Sequence, residues 1–342
     1  MLNAQGGVHG RKVTLISLDD GYSPPKVVEH VRRLVEQENV LAIFNIIGTP
    51  TSAAVQHYLN DRKVPQLFIQ SGASRFADPA HYPWTISIFS SYRAEAQVYA
   101  RYLLATKPDA RVGVLYQNDD FGKDYLAGFK EGLGDRAGAM IVAEASYEAT
   151  DPTIDTQIIT LQGSGADVLL DAGTVKFASQ AIRKSYDIGW RPLHFLDSPA
   201  TSIPSTLKPA GLEKAVGLIS ARYAKVPGDP QWEHDPDYRA YLAFMKRYYP
   251  AGDPEDQNNF AGYSWAYALA YVLEKCADDL TRENLLYQAT HLNDVRLPIL
   301  LPGITLNSSP TDYRLITQFI LHRFDGKQWV SFGDVMKVSA AR

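Results

Sequence analysis

Residues 112–133, VGVLYQNDDFGKDYLAGFKEGL, join a short apolar run to an amphipathic stretch across an acidic turn. The run from Arg111 to Tyr116 predicts a β-strand, and the stretch from Gly122 to Gly132 predicts a helix. This strand–helix unit recurs along the first two thirds of the chain, which is typical of a parallel sheet covered by helices on both faces. The sequence therefore predicts an α/β fold.

The predicted elements form two blocks of similar plan, followed by a helical region and a strand-rich tail. Further strands are predicted at Val13–Leu18, Val40–Ile47, Gln66–Gln70, Met140–Tyr147, Val168–Ala172 and His194–Leu196. Further helices are predicted at Pro24–Glu38, Ser52–Arg62, Tyr92–Thr106, Thr156–Gly163 and Lys176–Ile188. Residues 238–292 are predicted as helical, and the tail as strands at 315–324 and 329–332. Because the late helices need a sheet to cover, we expect the chain to return to an earlier block.

Three extended or Pro/Gly-marked segments join the blocks. They are Trp84–Ser91, Ala221–Pro230 and Leu297–Gly303. Three crossings predict two lobes, each of which the chain enters more than once. We expect lobe 1 to comprise residues 1–89 and 225–297, and lobe 2 to comprise residues 90–224 and 298–342.

Composition and charge restrict the class of partner. The 342 residues are 45% hydrophobic and 21% charged, with a formal net charge of -4, which is typical of a globular protein. No basic tract could follow a phosphate backbone, so nucleic acid is disfavoured. No stretch approaches the roughly 20 apolar residues of a membrane-spanning helix. We therefore expect a small solute as the ligand, with no nucleic acid and no membrane insertion.

Signatures of catalysis and metal binding are missing from the sequence. There is no Gly-x-Ser-x-Gly elbow, no phosphate loop and no Gly-x-Gly-x-x-Gly motif. The eight histidines and the single cysteine, Cys276, lack metal-ligand spacing. The adjacent acids Asp119 and Asp120 cannot face each other as general acid and base, which favours a loop or a helix cap. We expect no enzyme, metal or cofactor; a hydrolase or dehydrogenase is the enzymatic alternative.

Two hydroxyl-rich loops follow neighbouring predicted strands of the first block. Residues 48–52 read GTPTS and open a helix, and residues 71–74 read SGAS. Free N–H groups at a helix start and nearby hydroxyls suit an anion, and ligands of open α/β sheets bind beyond the carboxyl ends of the strands. The two loops are therefore candidates for half of a binding site. Alternatively, Thr51 or Ser52 only caps the helix and Gly72 only forms a turn.

The second block carries loops in matching places, at residues 118–122 (NDDFG), 173–174 (GT) and 197–198 (DS). Phe121 stands between an acidic turn and a helix start, where an aromatic ring is half-exposed unless something covers it. We expect Phe121 either to form an apolar wall against a ligand or to pack under its own helix.

Five segments carry a resemblance when they are taken in order and at their spacing. They are NAQGGVHGRKVTLISLDDGYSP (3–24), LAIFNIIGTPTSAAV (41–55), VPQLFIQSGASRF (64–76), HYPWT (81–85) and residues 112–133. From Asn3 to about Ser198 the chain resembles the periplasmic leucine/isoleucine/valine-binding family of ABC-transporter substrate-binding proteins. The resemblance implies the type I architecture, with two Rossmann-like lobes of parallel sheets flanked by helices, three hinge segments and a ligand enclosed between the lobes.

The resemblance also implies which residues bind the ligand. The loops that hold a ligand carboxylate in this family match Thr49, Pro50, Thr51, Ser71, Gly72, Ala73 and Ser74. Phe121 matches the family's aromatic wall, and Thr174 matches the opposite strand end. The implied function is that of a periplasmic solute receptor, with an ABC-transporter permease as partner. A ligand-sensing regulatory domain of the same fold is the alternative.

The loop after the predicted strand His194–Leu196 departs from the amino-acid binders. Where those members place a glutamate to pair the ligand's ammonium, this chain has Asp197 and Ser198 followed by Pro199. Because an unpaired buried ammonium is costly, we expect a carboxylate without an ammonium, such as an aromatic or other organic acid. The alternative is a branched-chain amino acid whose ammonium pairs with Asp197, unless Asp197 caps the turn that follows it.

A second departure concerns the start of the chain. Members of the family begin with a strand and a helix before the NAQGG turn, whereas this sequence starts at that turn with MLNAQGG and shows no signal-peptide pattern. We expect a start site assigned too late, or a fragment. Without the strand, which is usually interior to the first sheet, ladder groups of the neighbouring strands would be exposed.

Overall fold

The chain folds into two units. In the computed structural model, which describes residues 1–338, unit 1 comprises Met1–Ser90 and Ala224–Ile316. Unit 2 comprises Ser91–Tyr223 and the chain from Thr317 onward. The first two crossings lie next to the boundaries predicted from the sequence, but the third lies after Ile316 and not after residue 297. Residues 298–316 therefore belong to unit 1.

Backbone pairing explains the position of the third crossing. Leu300 forms an antiparallel bridge with Ala224, Leu306 with Val295, and Ile316 a parallel bridge with Ser90. The segment from residue 297 to residue 303 resembles a linker in the sequence, because it is extended and contains proline and glycine. These bridges instead attach it and the residues that follow it to unit 1.

The elements follow the alternation expected from the sequence, with boundaries that differ by a few residues. The helices are α1 (Pro24–Glu36), α2 (Thr49–Asp61), α3 (Tyr92–Thr106), α4 (Asp120–Leu133), α5 (Ala137–Met140), α6 (Asp155–Gly163), α7 (Val175–Asp187), α8 (Lys208–Ala210), α9 (Pro236–Tyr248), α10 (Gln257–Lys275) and α11 (Arg282–Ala289). The strands are β1 (Ile43–Phe44), β2 (Gln66–Ile69), β3 (Thr85–Ser87), β4 (Val112–Gln117), β5 (Ile141–Tyr147), β6 (Val168–Ala172), β7 (Leu193–Leu196), β8 (Ile219–Arg222), β9 (Gln318–Phe324) and β10 (Trp329–Lys337).

Unit 1 contains a parallel sheet in the order β1-β2-β3. Ile43 aligns with Gln66, and the Gly48 N–H donates to the Gln70 carbonyl at 3.2 Å. This bond lies just beyond the strands, so the loops that follow β1 and β2 leave the sheet side by side. Helices α1 and α2 pack together through apolar side chains that include Val31 and Leu59.

Unit 2 contains a seven-stranded sheet in the order β10-β9-β8-β7-β6-β4-β5. Strands β4 to β8 pair in parallel, and β9 and β10 are antiparallel. The chain moves from β4 to β5 on one side and then to β6 on the other, which makes a topological switch point between β4 and β6. Ligands of such sheets bind where the strand order reverses, at the carboxyl ends of the strands. The α/β fold predicted from the sequence is confirmed.

The prediction of a strand at Val13–Leu18 is wrong, because the segment has no regular secondary structure. Within residues 1–338, the backbone of residues 14–18 makes no hydrogen bond, and β1 pairs with β2 alone. Leu15 is 72% exposed. The apolar, β-branched composition favours a strand, but a strand also needs a neighbour that pairs with its backbone. The predicted strand Val40–Ile47 shortens to β1 for a different reason: Asn45 has a φ angle of 64°, which interrupts the strand although Ile47 still forms a parallel bridge with Gln70.

Strands β3 and β8 were missed in the sequence. β3 lies inside the predicted connecting segment Trp84–Ser91, β8 overlaps the start of the segment Ala221–Pro230, and each has only three or four residues. Both are completely buried and are defined by their partners in the sheet, which a short sequence window does not contain.

Candidate functional site

The turn between β1 and α2 is shaped by Gly48. Its φ angle is 97°, and a Cβ atom there would lie 2.2 Å from the ring of Tyr22. Both facts require glycine. Helix α2 then begins at Thr49, and among the described residues no side chain caps its N-terminus. Because the first N–H groups of a helix lack intrahelical partners and carry a partial positive charge, this end of unit 1 suits an anion.

Two buried hydroxyl groups meet beside this helix start. Thr49 Oγ1 and Ser71 Oγ are 2.7 Å apart, and the Ala73 N–H donates to Ser71 Oγ at 3.3 Å. One of the two hydroxyl hydrogens forms the bond between them, so the other can be donated outward. The structure therefore brings three of the residues predicted to bind a carboxylate, Thr49, Ser71 and Ala73, into one group.

The other predicted residues of these loops have different surroundings. The Thr51 hydroxyl donates to the carbonyls of Ile47 and Gly48, in its own turn, and caps no N–H group. Gly72 is buried and Pro50 is half-buried. Ser74 is exposed and begins a short 3-10 turn, Ser74–Ala77. A ligand role for these four residues stays a prediction.

In unit 2, Phe121 belongs to a buried aromatic cluster. Its ring lies 5.1 Å from that of Tyr92 on α3 and 5.5 Å from that of Tyr125 on its own helix, both in edge-to-face geometry. Only 4% of Phe121 is exposed. These contacts favour packing under its own helix, which the sequence left open. Asp119 caps α4 by accepting the N–H of Phe121 at 2.9 Å, so the prediction of a helix cap is confirmed.

Thr174 lies at the start of α7, directly after β6. Its N–H donates to the Tyr147 hydroxyl at 2.9 Å, and the Tyr147 ring packs against Phe177 at 4.2 Å. Together with Phe121, which follows β4, Thr174 flanks the switch point of the unit 2 sheet. The structure therefore places both predicted residues at the position where a doubly wound sheet binds its ligand.

Asp197 caps the turn that follows β7. Its Oδ1 accepts the Ala200 N–H at 2.9 Å, while its Oδ2 is buried and has no hydrogen-bond partner among the described residues. Burial, with the nearby carboxyls of Glu95 and Asp171, raises the pKa of Asp197 well above its ordinary value. The uncharged form of Asp197 is therefore favoured relative to that of an exposed carboxyl, which weakens Asp197 as a partner for an ammonium.

Sequence reasoning missed several polar residues of this region, above all Glu95. Glu95 is fully buried, and its carboxylate accepts the N–H of Ser198 at 2.7 Å and the Ser198 hydroxyl at 2.6 Å. Asp171, in the middle of the buried strand β6, pairs with His194 at 3.1 Å. A carboxylate within an apolar strand, or on the buried face of a helix, was the signal available for both residues.

No cluster of His, Cys, Asp and Glu in residues 1–338 is arranged to hold a metal ion. In the same range, none of the helices combines the length and hydropathy that a membrane crossing requires.

Residues 1–328 match a known family model described as periplasmic binding protein. The chain belongs to the periplasmic binding protein family.

The resemblance to its leucine/isoleucine/valine-binding members, inferred from the sequence, is confirmed by the curated relatives. They include "Leu/Ile/Val-binding protein homolog 7" of Brucella suis, 24% identical over 205 residues, which are 56% of this chain and 49% of the relative. The "Amino acid binding protein" of Pseudomonas aeruginosa is 22% identical over 55% of this chain and 50% of its own length. The chain thus spans about half the length of the curated relatives it matches.

Several solved structures share the fold over nearly the whole chain. A branched-chain amino acid ABC transporter protein from Thermus thermophilus with bound valine has a TM-score of 0.86 at 14% identity, covering 98% of this chain and 88% of its own. A substrate-binding periplasmic protein from Ralstonia solanacearum has a TM-score of 0.82 at 23% identity, with coverages of 97% and 91%. A fatty acid ABC transporter substrate-binding protein from Thermomonospora curvata has a TM-score of 0.78 at 22% identity, with coverages of 98% and 85%. At these identities the likeness shows the fold, and the type I architecture predicted from the sequence is confirmed.

Proposed function

We propose that this protein is the periplasmic solute receptor of an ABC importer and has no enzymatic activity. It binds a small carboxylate-bearing solute and presents it to a membrane permease. The names of the relatives support the transport role, since those cited above are binding proteins. The observation that carries the ligand class is the Thr49–Ser71 hydroxyl pair beside the uncapped start of α2.

The solute's carboxylate accepts hydrogen bonds in unit 1. The outward hydroxyl hydrogen of the Thr49–Ser71 pair and the first N–H groups of α2 are donors, and the helix dipole favours a negative charge there. We propose that Gly72, Ala73 and Ser74 complete this subsite. In unit 2, Thr174 and the loop of Asp197 and Ser198 supply polar contacts, and the cluster that contains Phe121 supplies apolar surface.

We favour an organic acid, aromatic or otherwise, over a branched-chain amino acid. No glutamate stands in the loop after β7, and Asp197 both caps a turn and has a raised pKa. An enclosed ammonium needs an ionised partner, since an unpaired buried charge costs several kcal/mol. The fold does not decide the matter, because similar structures are named for valine and for fatty acid.

A branched-chain amino acid is the second candidate, and one observation favours it. Asp197 Oδ2 is buried without a hydrogen-bond partner among residues 1–338, so it could accept a donor from a ligand. An ammonium at that position would also lower the pKa of Asp197 and help to ionise it.

A thermal-shift screen of organic acids, leucine, valine and amides tests the proposal. A ligand at 100 times its dissociation constant should add about 2.7 kcal/mol to the stability. Ser71→Ala should reduce the shift that an acid produces, while the Thr49 hydroxyl and the first N–H groups of α2 remain as donors. Ser264→Ala is the matched control, because Ser264 is a buried serine of unit 1 with one internal bond, to Phe260 at 2.8 Å. Equal shifts in the two variants would contradict the assigned carboxylate subsite.

A further inference from the structure

Glu95 lies on the first turn of α3 and binds the loop after β7 from inside the unit. Its Oε1 accepts the Ser198 N–H at 2.7 Å and lies 2.7 Å from the Tyr99 hydroxyl, whose single hydrogen it shares with the Leu196 carbonyl at 2.8 Å. Its Oε2 accepts the Ser198 hydroxyl at 2.6 Å, and the Tyr125 hydroxyl is close enough to the Glu95 carboxyl to lower its pKa. Among the described residues, the hydrogen bond given for the Ser198 hydroxyl is the one to Glu95, so Glu95 holds the hydroxyl hydrogen of Ser198.

The groups around Glu95 carry phenol and carboxyl side chains. Its neighbours are Tyr92 and Tyr99 on α3, Tyr125 on α4 and Asp197 in the loop after β7, and Asp171 on β6 lies next to Asp197. Burial raises the pKa of Glu95 to about 7, although the hydrogen bonds from Ser198 and Tyr99 lower it. Both protonation forms of Glu95 are therefore populated near neutral pH.

The geometry accommodates a proton on Oε2 without the loss of any hydrogen bond. Oε1 continues to accept from the Ser198 N–H and from Tyr99. The Oε2 proton is then donated to Ser198 Oγ, which has lone pairs to receive it. The Ser198 hydroxyl rotates, and its own hydrogen is released from Glu95. Ser198 is half-buried, so its hydroxyl is not sealed inside the unit.

We propose that Glu95 sets the hydrogen-bonding role that Ser198 plays toward the solute. As a carboxylate, Glu95 takes the hydroxyl hydrogen, and Ser198 can only accept a bond from a donor on the solute. As an acid, Glu95 returns that hydrogen, and Ser198 donates to an acceptor such as a carboxylate or carbonyl. Glu95 is thus a positioning residue for specificity. The inference rests on the proposed function, because it requires Ser198 to face the solute.

The sign of the pH dependence follows from these two forms. An organic acid binds best when Glu95 is protonated, so its affinity falls as the pH rises through about 7. A solute with an ammonium or amide donor at Ser198 shows the opposite trend. One neutral hydrogen bond gained or lost corresponds to about a two- to tenfold change in affinity.

Glu95→Gln separates this role from a structural one. A glutamine carbonyl can accept from the Ser198 N–H and Tyr99, and its amide can donate to Ser198 Oγ, so the variant imitates the protonated acid at every pH. It should keep organic-acid affinity at high pH and lose the pH dependence centred near neutrality. Glu213→Gln, at an exposed glutamate of unit 2, is the control and should behave like the unchanged protein.

The experiment has two arms. In the first, carbon NMR of the Glu95 side-chain carboxyl follows its titration without any solute, in the unchanged protein and in Ser198→Ala. Removal of the hydroxyl donor should raise the pKa of Glu95 further. In the second, isothermal titration measures the affinity for benzoate and for leucine from about pH 5.5 to about pH 8.5 in the unchanged protein and the two glutamine variants.

Each outcome decides the proposal. A higher Glu95 pKa in Ser198→Ala, with a pH-dependent affinity that Glu95→Gln removes, supports it. A Glu95 titration that is indifferent to Ser198→Ala overturns it, whether or not either probe binds. A probe that binds with the same pH dependence in the unchanged protein and in Glu95→Gln also overturns it. If neither probe binds, the proposed ligand classes fail, and the first arm still decides whether Glu95 controls Ser198.

Discussion

Substitution of Glu95 by glutamine should stabilise the folded protein at high pH. The pKa of Glu95 is raised from 4.5 to about 7 in the folded state, because the carboxyl is fully buried. A group with a raised folded pKa stabilises the fold below its unfolded pKa, and this contribution is lost as the pH rises through the folded pKa. Above about pH 7 the folded protein therefore holds a buried charge that the unfolded chain would hold in water.

The magnitude follows from the difference between the two pKa values. At about 1.4 kcal/mol for each tenfold change in proton affinity, the penalty above pH 7 is about 3 kcal/mol. Glutamine carries no charge, so the variant should gain stability relative to the unchanged protein between about pH 4.5 and about pH 7 and keep this gain at higher pH. Because Glu95 is one cause of the raised pKa of Asp197, the difference between the two curves measures Glu95 together with its coupling to Asp197.

Urea unfolding at a series of pH values measures this difference, with a near-UV or tryptophan signal and Glu213→Gln as the control. The expected result is a difference in the free energy of unfolding between Glu95→Gln and the unchanged protein. This difference should increase from acid to neutral pH. A difference in the free energy of unfolding that stays constant, or that decreases with rising pH, would refute the reasoning. It would mean that the Glu95 carboxyl is either charged at low pH or solvated.

Three further substitutions test the local structure at Ser71, Phe121 and Gly48. Ser71→Ala removes a hydroxyl from a buried pair and should lower the free energy of unfolding, measured by urea titration, by about 1–3 kcal/mol. A loss of stability no greater than that of Ser264→Ala would contradict the hydrogen bonds assigned to Ser71. Phe121→Ala should destabilise unit 2 by about 3 kcal/mol, because the ring is buried in an aromatic cluster; unchanged stability with weaker solute binding would instead show that the ring faces the ligand. Gly48→Ala should lower the melting temperature, because φ is 97° and the new Cβ would lie 2.2 Å from a tyrosine ring, whereas Gly138→Ala meets nothing within 4 Å and should not.

The sequence predicted helices and strands correctly where their limits depend on residues close by in the chain. The helix Tyr92–Thr106 and the strand Val168–Ala172 agree with the structure at both ends, because the helix has a serine cap and the strand is continuously apolar apart from one aspartate. Loops that follow strands could likewise be placed at one edge of a sheet, as the contact between Thr49 and Ser71 illustrates.

Features that depend on a distant partner could not be predicted in this way. Val13–Leu18 has the composition of a strand but finds no neighbour to pair with among the described residues. Glu95 looks like an ordinary helix residue until Ser198, more than a hundred positions away, places two donors on its carboxylate. The third crossing was misplaced for the same reason, since Ile316 is held by Ser90.

Isothermal titration with leucine, valine and a series of benzoate-type acids tests most directly the central claim, that the protein is a receptor for a small carboxylate without an ammonium. The account predicts that one of the acids binds with a dissociation constant of about 1 μM or below, and that leucine and valine produce no heat of binding. Tight binding of leucine or valine with no response to any acid would contradict it, and would make Asp197 the partner of the ligand's ammonium.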